Sequence, residues 1–207
     1  MAPETRRERQ RRILVADALA AARAQLERGG VGAVSLRGIA RELGMSAPSL
    51  YTYFPSLADV CTALIVESYQ ELASSIADAL DDAAVAPVAE RLLVGPRAYR
   101  AWAIANPQQF NLVFFDQIPG YAAPPGGPTV DAQTDVLVAL AGPYAEAVGV
   151  ELDVLRSAGD DLDGFLSWWG GFHGLVALEV NHHLDWVDAE AVFERRLAAD
   201  VRAILDG

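Results

Sequence analysis

The chain has 207 residues, of which 52% are hydrophobic, and carries a formal net charge of −12. That length is enough to bury a proper core and suits one small unit plus one larger one. No run of about eighteen apolar residues and no leader pattern of basic, apolar and small-residue regions occurs, so neither a membrane span nor a signal peptide is expected and the chain should stay in the cytoplasm.

The charge is split along the chain. Residues 1–60 hold nine arginines against six acids, net +3, whereas residues 61–207 hold seven arginines against twenty-two acids, net −15. The amino-terminal part is therefore the one that can meet a polyanion, and the acidic remainder should repel it. RRERQRR, Arg6 to Arg12, places five arginines in seven residues ahead of the first helix. It reads either as a flexible contact to phosphate or minor groove, or as a solubilising segment. Helix 1 is expected from about Glu8 to Arg28, stopped by Gly29 and Gly30.

Ser35 to Phe54 reads SLRGIARELGMSAPSLYTYF, two short helical patterns broken at Gly44. Leu36, Ile39, Ala40 and Leu43 recur at helical spacing, which buries one face and turns Arg37 and Arg41 elsewhere. Ser35 is placed to accept from the free amides of the first turn. Gly44 supplies the positive φ that ends this helix, and Ser46 starts the next as a second cap. Pro48 falls in the first turn, where its missing N–H costs nothing. The second helix buries Leu50 and Phe54 and leaves Ser46, Ala47, Ser49, Tyr51, Thr52 and Tyr53 for solvent or a groove. This is the pattern of a helix-turn-helix.

SLRGIARELGMSAPSLYTYFPSLADVCTALI resembles the amino-terminal domain of TetR-family transcriptional regulators, over roughly the first seventy residues. The I-A-x-x-L-G-M-S turn, the L-Y-x-Y-F end and the following P-S cap occur together and in order. The resemblance implies an all-α fold: a three-helix DNA-binding domain over residues 8–68, with its helix-turn-helix at 35–54. A long helix 4 then joins it to a larger helical ligand-binding and dimerisation domain over 69–207. It implies that the second helix enters the major groove of double-stranded operator DNA, with Ser35, Arg37, Ser46, Ala47, Ser49, Tyr51, Thr52 and Tyr53 at the interface. Early residues of that helix would meet base edges and its tyrosines phosphates. One departure is Leu57, which stands where the family usually has a Lys or Arg that meets a phosphate; it bears on that one contact and not on the fold.

Ser56 should cap helix 4, with Asp59 three residues on. Leu57, Val60, Cys61, Leu64, Ile65, Tyr69, Leu72, Ile76 and Leu80 form its apolar stripe. Cys61, the single cysteine, cannot make an internal disulfide and reads as a buried small hydrophobe, or alternatively as a redox sensor. A helical stretch follows over Ala84–Ala105, with a kink or break expected at Gly95 and Pro96. A short helix from Pro107 to about Phe115 comes next, then a loop over Pro119–Thr129, rich in proline and glycine. Further helices are expected at Val130–Val148, Leu152–Ala158, Asp161–Leu184 and, after Asp188 as cap, Ala189–Leu205.

The penultimate helix contains WWGGFHGLVALEV, Trp168 to Val180, apolar nearly all round, with small residues at Gly170, Gly171 and Gly174 that admit a close neighbour. Its W-x-x-x-H-G-L-V order is similar to the effector domain of a TetR branch named for its Trp, His and Gly. In the broader family the last two long helices pack against their copies in a second subunit, which implies a homodimer; a monomer core is the other reading of the glycines. Tyr99, Trp102, Phe110 and Phe114, with Trp168, Trp169, Phe172 and His173, read as ordinary core or as the walls of an apolar effector cavity. His173 itself reads as a packing residue, a ligand anchor or a catalytic base.

His182, His183 and Asp185 invite a metal, yet neighbouring histidines on a helix point about 100° apart, so no metal site is expected. No Gly-rich phosphate loop, nucleophile elbow, CxxC or HExxH is present, and no cofactor is expected. The chain is thus expected to be no enzyme but a DNA-binding regulator, most simply a repressor released by a small, largely hydrophobic effector. An enzyme on a helical scaffold using His173, or an architectural DNA binder without effector, are the alternatives.

Overall fold

The computed structural model describes residues 5–116, 118, 121–123, 125–153 and 159–206, with only the backbone of Asp160. Among these residues every regular element is helical. In chain order they are α1 (Arg6–Gly29), a 3₁₀ turn (Val31–Ala33), α2 (Leu36–Glu42), α3 (Ala47–Tyr51), α4 (Leu57–Asp82) and α5 (Val88–Ala105). Then follow α6 (Pro107–Phe114), α7 (Pro128–Val148), α8 (Asp160–Val180) and α9 (Ala189–Asp206). None is long and apolar enough to cross a membrane.

The chain divides into two compact units, Met1–Ser68 with Gln108–Val130, and Tyr69–Pro107 with Asp131–Gly207. The first is built on Ala18, Ala22 and Leu26 of α1, Leu36, Ile39 and Ala40 of α2, Leu50 and Phe54 around α3, and Val60, Cys61 and Leu64 of α4, all buried. The segment 108–130 clusters with it, where the sequence boundary at residue 69 would assign that segment to the larger domain. Thr62 Oγ1 donates to the Tyr121 hydroxyl at 3.1 Å, tying that segment to α4. In the second unit α5, α8 and α9 pack together. Tyr99, Phe172, Phe193, Leu92 and Leu197 are fully buried there.

Several local expectations are corrected. Arg6 to Arg12 are not a flexible arm ahead of the first helix but its first two turns. Thr5 and Glu8 cap each other there, with Glu8 Oε2 accepting from the Thr5 amide at 2.7 Å and from the Thr5 hydroxyl at 2.8 Å. These bonds hold the Glu8 carboxyl below the usual range, so the acid that starts the helix is ionised. Second, α5 begins at Val88 rather than Ala84, because Pro87 keeps the preceding residue out of helical backbone. It then runs through Pro96 without a break, its Leu92, Gly95, Pro96 and Tyr99 all buried, so tertiary packing overrides the local cost of proline. Third, Leu57 is 37% exposed and leaves the buried stripe of α4. α7 starts at Pro128, two residues early, since proline is admitted in a first turn. The short helix expected over Leu152–Ala158 lies outside the described residues from position 154 on.

The penultimate helix stops at Val180, not Leu184. His182 adopts φ +62°, and its amide and that of His183 return to the carbonyls of Glu179 and Leu178. This is the left-handed stop that usually employs glycine, executed here by a histidine. His182→Gly should therefore stabilise the fold by about 0.5–1 kcal/mol in urea melts, because glycine reaches this conformation without strain but loses more entropy on folding. A melt unchanged or lowered would contradict this account of the helix end. The side chain itself stays in solvent, 3.3 Å from Asp185. Among the described residues no group of His, Cys, Asp and Glu could hold a metal.

Candidate nucleic-acid interface

α2 and α3 are short, and neither would persist alone, so their ends are fixed from outside the helical ladder. Ser35 Oγ accepts from the Gly38 amide at 3.1 Å, and Ser46 Oγ accepts from the Ser49 amide at 3.3 Å. Between them, Gly44 at φ +64° closes α2: its amide donates to Arg41 O at 3.2 Å and the Met45 amide to Ala40 O at 2.9 Å. The turn thus satisfies the last carbonyls of α2 and starts α3 two residues later. Ser56 and Asp59 form the corresponding reciprocal cap on α4, with the Ser56 amide 2.8 Å from Asp59 Oδ2.

A residue that sequence reasoning missed locks this arrangement. Gln25, 5% exposed, accepts from the Ser35 amide at 2.9 Å and donates to Glu42 Oε1 at 3.1 Å. One amide side chain from α1 thereby grips both ends of α2. Arg28 adds a bond to the same Glu42 oxygen at 2.8 Å. The signal was available: Gln25 is the polar member of the stripe Ala18, Ala22, Gln25, Leu26, and a polar side chain on an apolar face needs a partner.

Ser35, Arg37, Ser46, Ser49, Tyr51 and Thr52 are exposed, with Tyr51 at 48%. Ala47 and Tyr53 are half-buried. The Ser49 and Ser46 hydroxyls hydrogen-bond each other at 2.7 Å, so a base edge reaching Ser49 would have to replace that bond. The Arg11 guanidinium lies over the Tyr53 ring, 5.6 Å from its centroid. The surface of α3 is therefore polar, with Arg11 of α1 against Tyr53 and with Arg37 and Arg41 of α2 exposed as further hydrogen-bond donors.

The expected effector residues divide between the units. Tyr99, Trp102, Trp168, Trp169, Phe172 and His173 belong to the second, and Phe110 and Phe114 to the first. The Tyr99 hydroxyl and His173 Nδ1 share a 2.6 Å hydrogen bond. Phe172 meets the Tyr99 ring edge-on at 5.5 Å, and Trp169 stacks on His173 at 5.3 Å. Burial keeps the Tyr99 phenol well above its ordinary range and pushes the His173 imidazole down, so both are neutral near pH 7. The indole Nε1 atoms of Trp168 and Trp169 are buried and make no hydrogen bond among the described residues. In the first unit Phe110 packs on Phe114 at 5.1 Å and on Phe115 at 5.7 Å.

Residues 18–64 match the family described as bacterial regulatory proteins, tetR family, and residues 95–199 match the tetracyclin repressor-like C-terminal domain. An HTH-type transcriptional regulator of Mycobacterium tuberculosis, Rv1816, is 34% identical over 126 residues, covering 61% of this chain and 52% of that protein. The chain thus aligns with about half the length of this relative. A second regulator of that organism, Rv0681, is 28% identical over 179 residues, covering 81% and 71%. Among solved structures, a protein described as regulatory, SCO4313, superposes with a TM-score of 0.78 at 29% identity, covering 98% of this chain and 100% of that one. The TetR family regulator PfmR of Thermus thermophilus shares the fold with a TM-score of 0.58 at 19% identity, covering 92% and 97%.

Proposed function

Given that this chain belongs to the TetR family of bacterial regulatory proteins, we propose that it is a cytoplasmic, ligand-responsive repressor that binds a palindromic operator as a homodimer. A small, largely hydrophobic effector releases it. The family is one of transcriptional regulators and not of enzymes. The observation that carries the proposal is the capped α2–Gly44–α3 turn, which presents Ser49, Tyr51, Thr52 and Tyr53 within the net-positive first sixty residues of an otherwise acidic chain.

Dimerisation through α8 and α9 is supported by the outer face of α8. Leu166, Gly170, Gly174 and Leu178 follow one another every four residues, and Leu166 and Leu178 are exposed. A Cβ built at Gly170 or Gly174 meets nothing within 4 Å, so a neighbouring helix could approach there. Gly171 instead faces Arg196 of α9 in the same chain. Two recognition helices related by a two-fold would then sit about 34–36 Å apart.

An effector among Tyr99, Trp102, Trp168, Trp169, Phe172 and His173 of the second unit would find apolar walls and few polar groups. Effector and operator would oppose each other reciprocally, since each shifts the equilibrium only by its differential affinity.

The test is enrichment of duplexes from a random pool. A palindrome with half-sites one helical turn apart is expected, and recovery of no common sequence would sink the proposal. On the enriched operator, Tyr53→Phe should weaken binding by about 0.5–1.5 kcal/mol on every sequence, the net worth of one hydrogen bond. Ser49→Ala should instead change which sequence is preferred. Fluorescence anisotropy with neither effect would mean that α3 docks otherwise.

A further inference from the structure

An open cleft of about 560 Å³ lies in the first unit between the first turns of α1 and the end of α3. Arg7, Gln10 and Arg11 line it from α1, and Thr52 and Tyr53 line it from the other side. Because α1 is helical from Arg6, Arg7 and Arg11 are one turn apart on a common face rather than on a loose arm. Neither makes an ion pair among the described residues. The one acid among the described residues that line the cleft, Glu8, is occupied by the amide and hydroxyl of Thr5. The Arg11 guanidinium lies 5.6 Å from the Tyr53 ring centroid, within the range of a cation–π contact.

We propose that this cleft receives one backbone phosphate of duplex DNA, and that Arg11 is the positioning residue that holds Tyr53 at its edge. A guanidinium held over an aromatic face by one side of its fork keeps further N–H donors that can reach an oxyanion which the phenol O–H also meets. This contact restrains Tyr53 before DNA arrives, so its hydroxyl is presented at lower entropic cost. The half-burial of Tyr53 beside exposed Thr52 fits this arrangement. The inference rests on the DNA-binding reading, but the phosphate contact is sequence-independent and needs no knowledge of the operator.

The test uses the full chain, a mixed-sequence duplex as probe, and salt titration. Arg11→Ala should lower affinity roughly tenfold and flatten the dependence of log K on log salt by about one. Tyr53→Phe should cost a few-fold in the parent protein and nothing measurable in the Arg11→Ala background, because the hydroxyl is no longer held in place. Arg11→Lys, which keeps the charge but not the planar stack, should retain the salt slope and still abolish the Tyr53→Phe effect. Equal losses from Tyr53→Phe in both backgrounds would overturn the positioning role. An Arg11→Ala protein that binds like the parent with an unchanged slope would overturn the phosphate site while leaving the DNA-binding reading intact. Arg11→Ala effects on anionic lipid vesicles but not on duplex would overturn the choice of ligand. A parent protein without affinity for any duplex would instead remove the DNA-binding reading itself.

Discussion

Glu179→Ala is expected to lower the stability of the second unit by about 2–3 kcal/mol, between the value of an exposed ion pair and the cost of orphaning a buried charge. Arg100 Nε and Nη2 donate to the two Glu179 oxygens at 2.8 and 2.6 Å, and the paired side chains are only 16% and 19% exposed. The guanidinium also lies over Phe193, 5.4 Å from the ring centroid. Removing the carboxylate strands a planar cation between α5, α8 and α9, with Glu190 at 3.9 Å, itself 72% exposed, and the charge of Glu194 left to compensate. Glu179 also stands near the carboxyl end of α8, where an acid opposes the helix dipole, so Arg100 offsets two unfavourable terms together. The comparison pair is Arg97–Glu194, also bidentate but 47% and 36% exposed, whose disruption should cost less than about 1 kcal/mol. Urea denaturation of both variants decides the matter, and equal midpoints would show that burial of the Arg100 pair contributes nothing.

Leu50→Ala should cost about 2–4 kcal/mol and remove DNA binding beyond what the stability loss explains. α3 spans Ala47–Tyr51 and Leu50 is its one buried residue, fully enclosed. A helix of that length has no independent stability, so the orientation of Ser49, Tyr51 and Thr52 depends on that single side chain together with Phe54 just beyond it. Truncation leaves a cavity beneath the element that must meet the groove. Amide exchange at Tyr53 and Phe54, whose amides bond to Leu50 O at 2.9 and 3.0 Å, should rise first. Duplex affinity that survives in a variant with exchange-labile α3 would detach binding from the order of this helix.

What the sequence disclosed was what is local. Ser35, Gly44, Ser46 and Ser56 act within three residues of their own position, and their roles as caps and stop follow from residue type alone. Asp188, whose Oδ1 accepts from the Ala191 amide at 2.9 Å, is legible for the same reason. What stayed hidden was set by distance along the chain. The partners of Gln25 lie 10 and 17 residues away, those of Arg11 and Arg100 farther still, and periodicity carries no information on such pairings. The grouping of residues 108–130 with the first unit was hidden likewise, and it places Phe110 and Phe114 there although they read as companions of Tyr99. The stop at Val180 was missed because histidine rarely takes the left-handed conformation that ends α8.

Cys61 offers a last consequence. It is the only thiol in the chain, 1% exposed, and burial raises its pKa, so attack by a disulfide reagent must wait for the packing around α4 to part. With reagent in excess, the labelling rate therefore clocks excursions of the first unit from its native packing, one event per molecule, with no probe to be introduced. Any molecule that binds only the closed form should slow that clock in proportion to its occupancy, which turns a buried side chain with no chemical task into a gauge for every ligand of this unit.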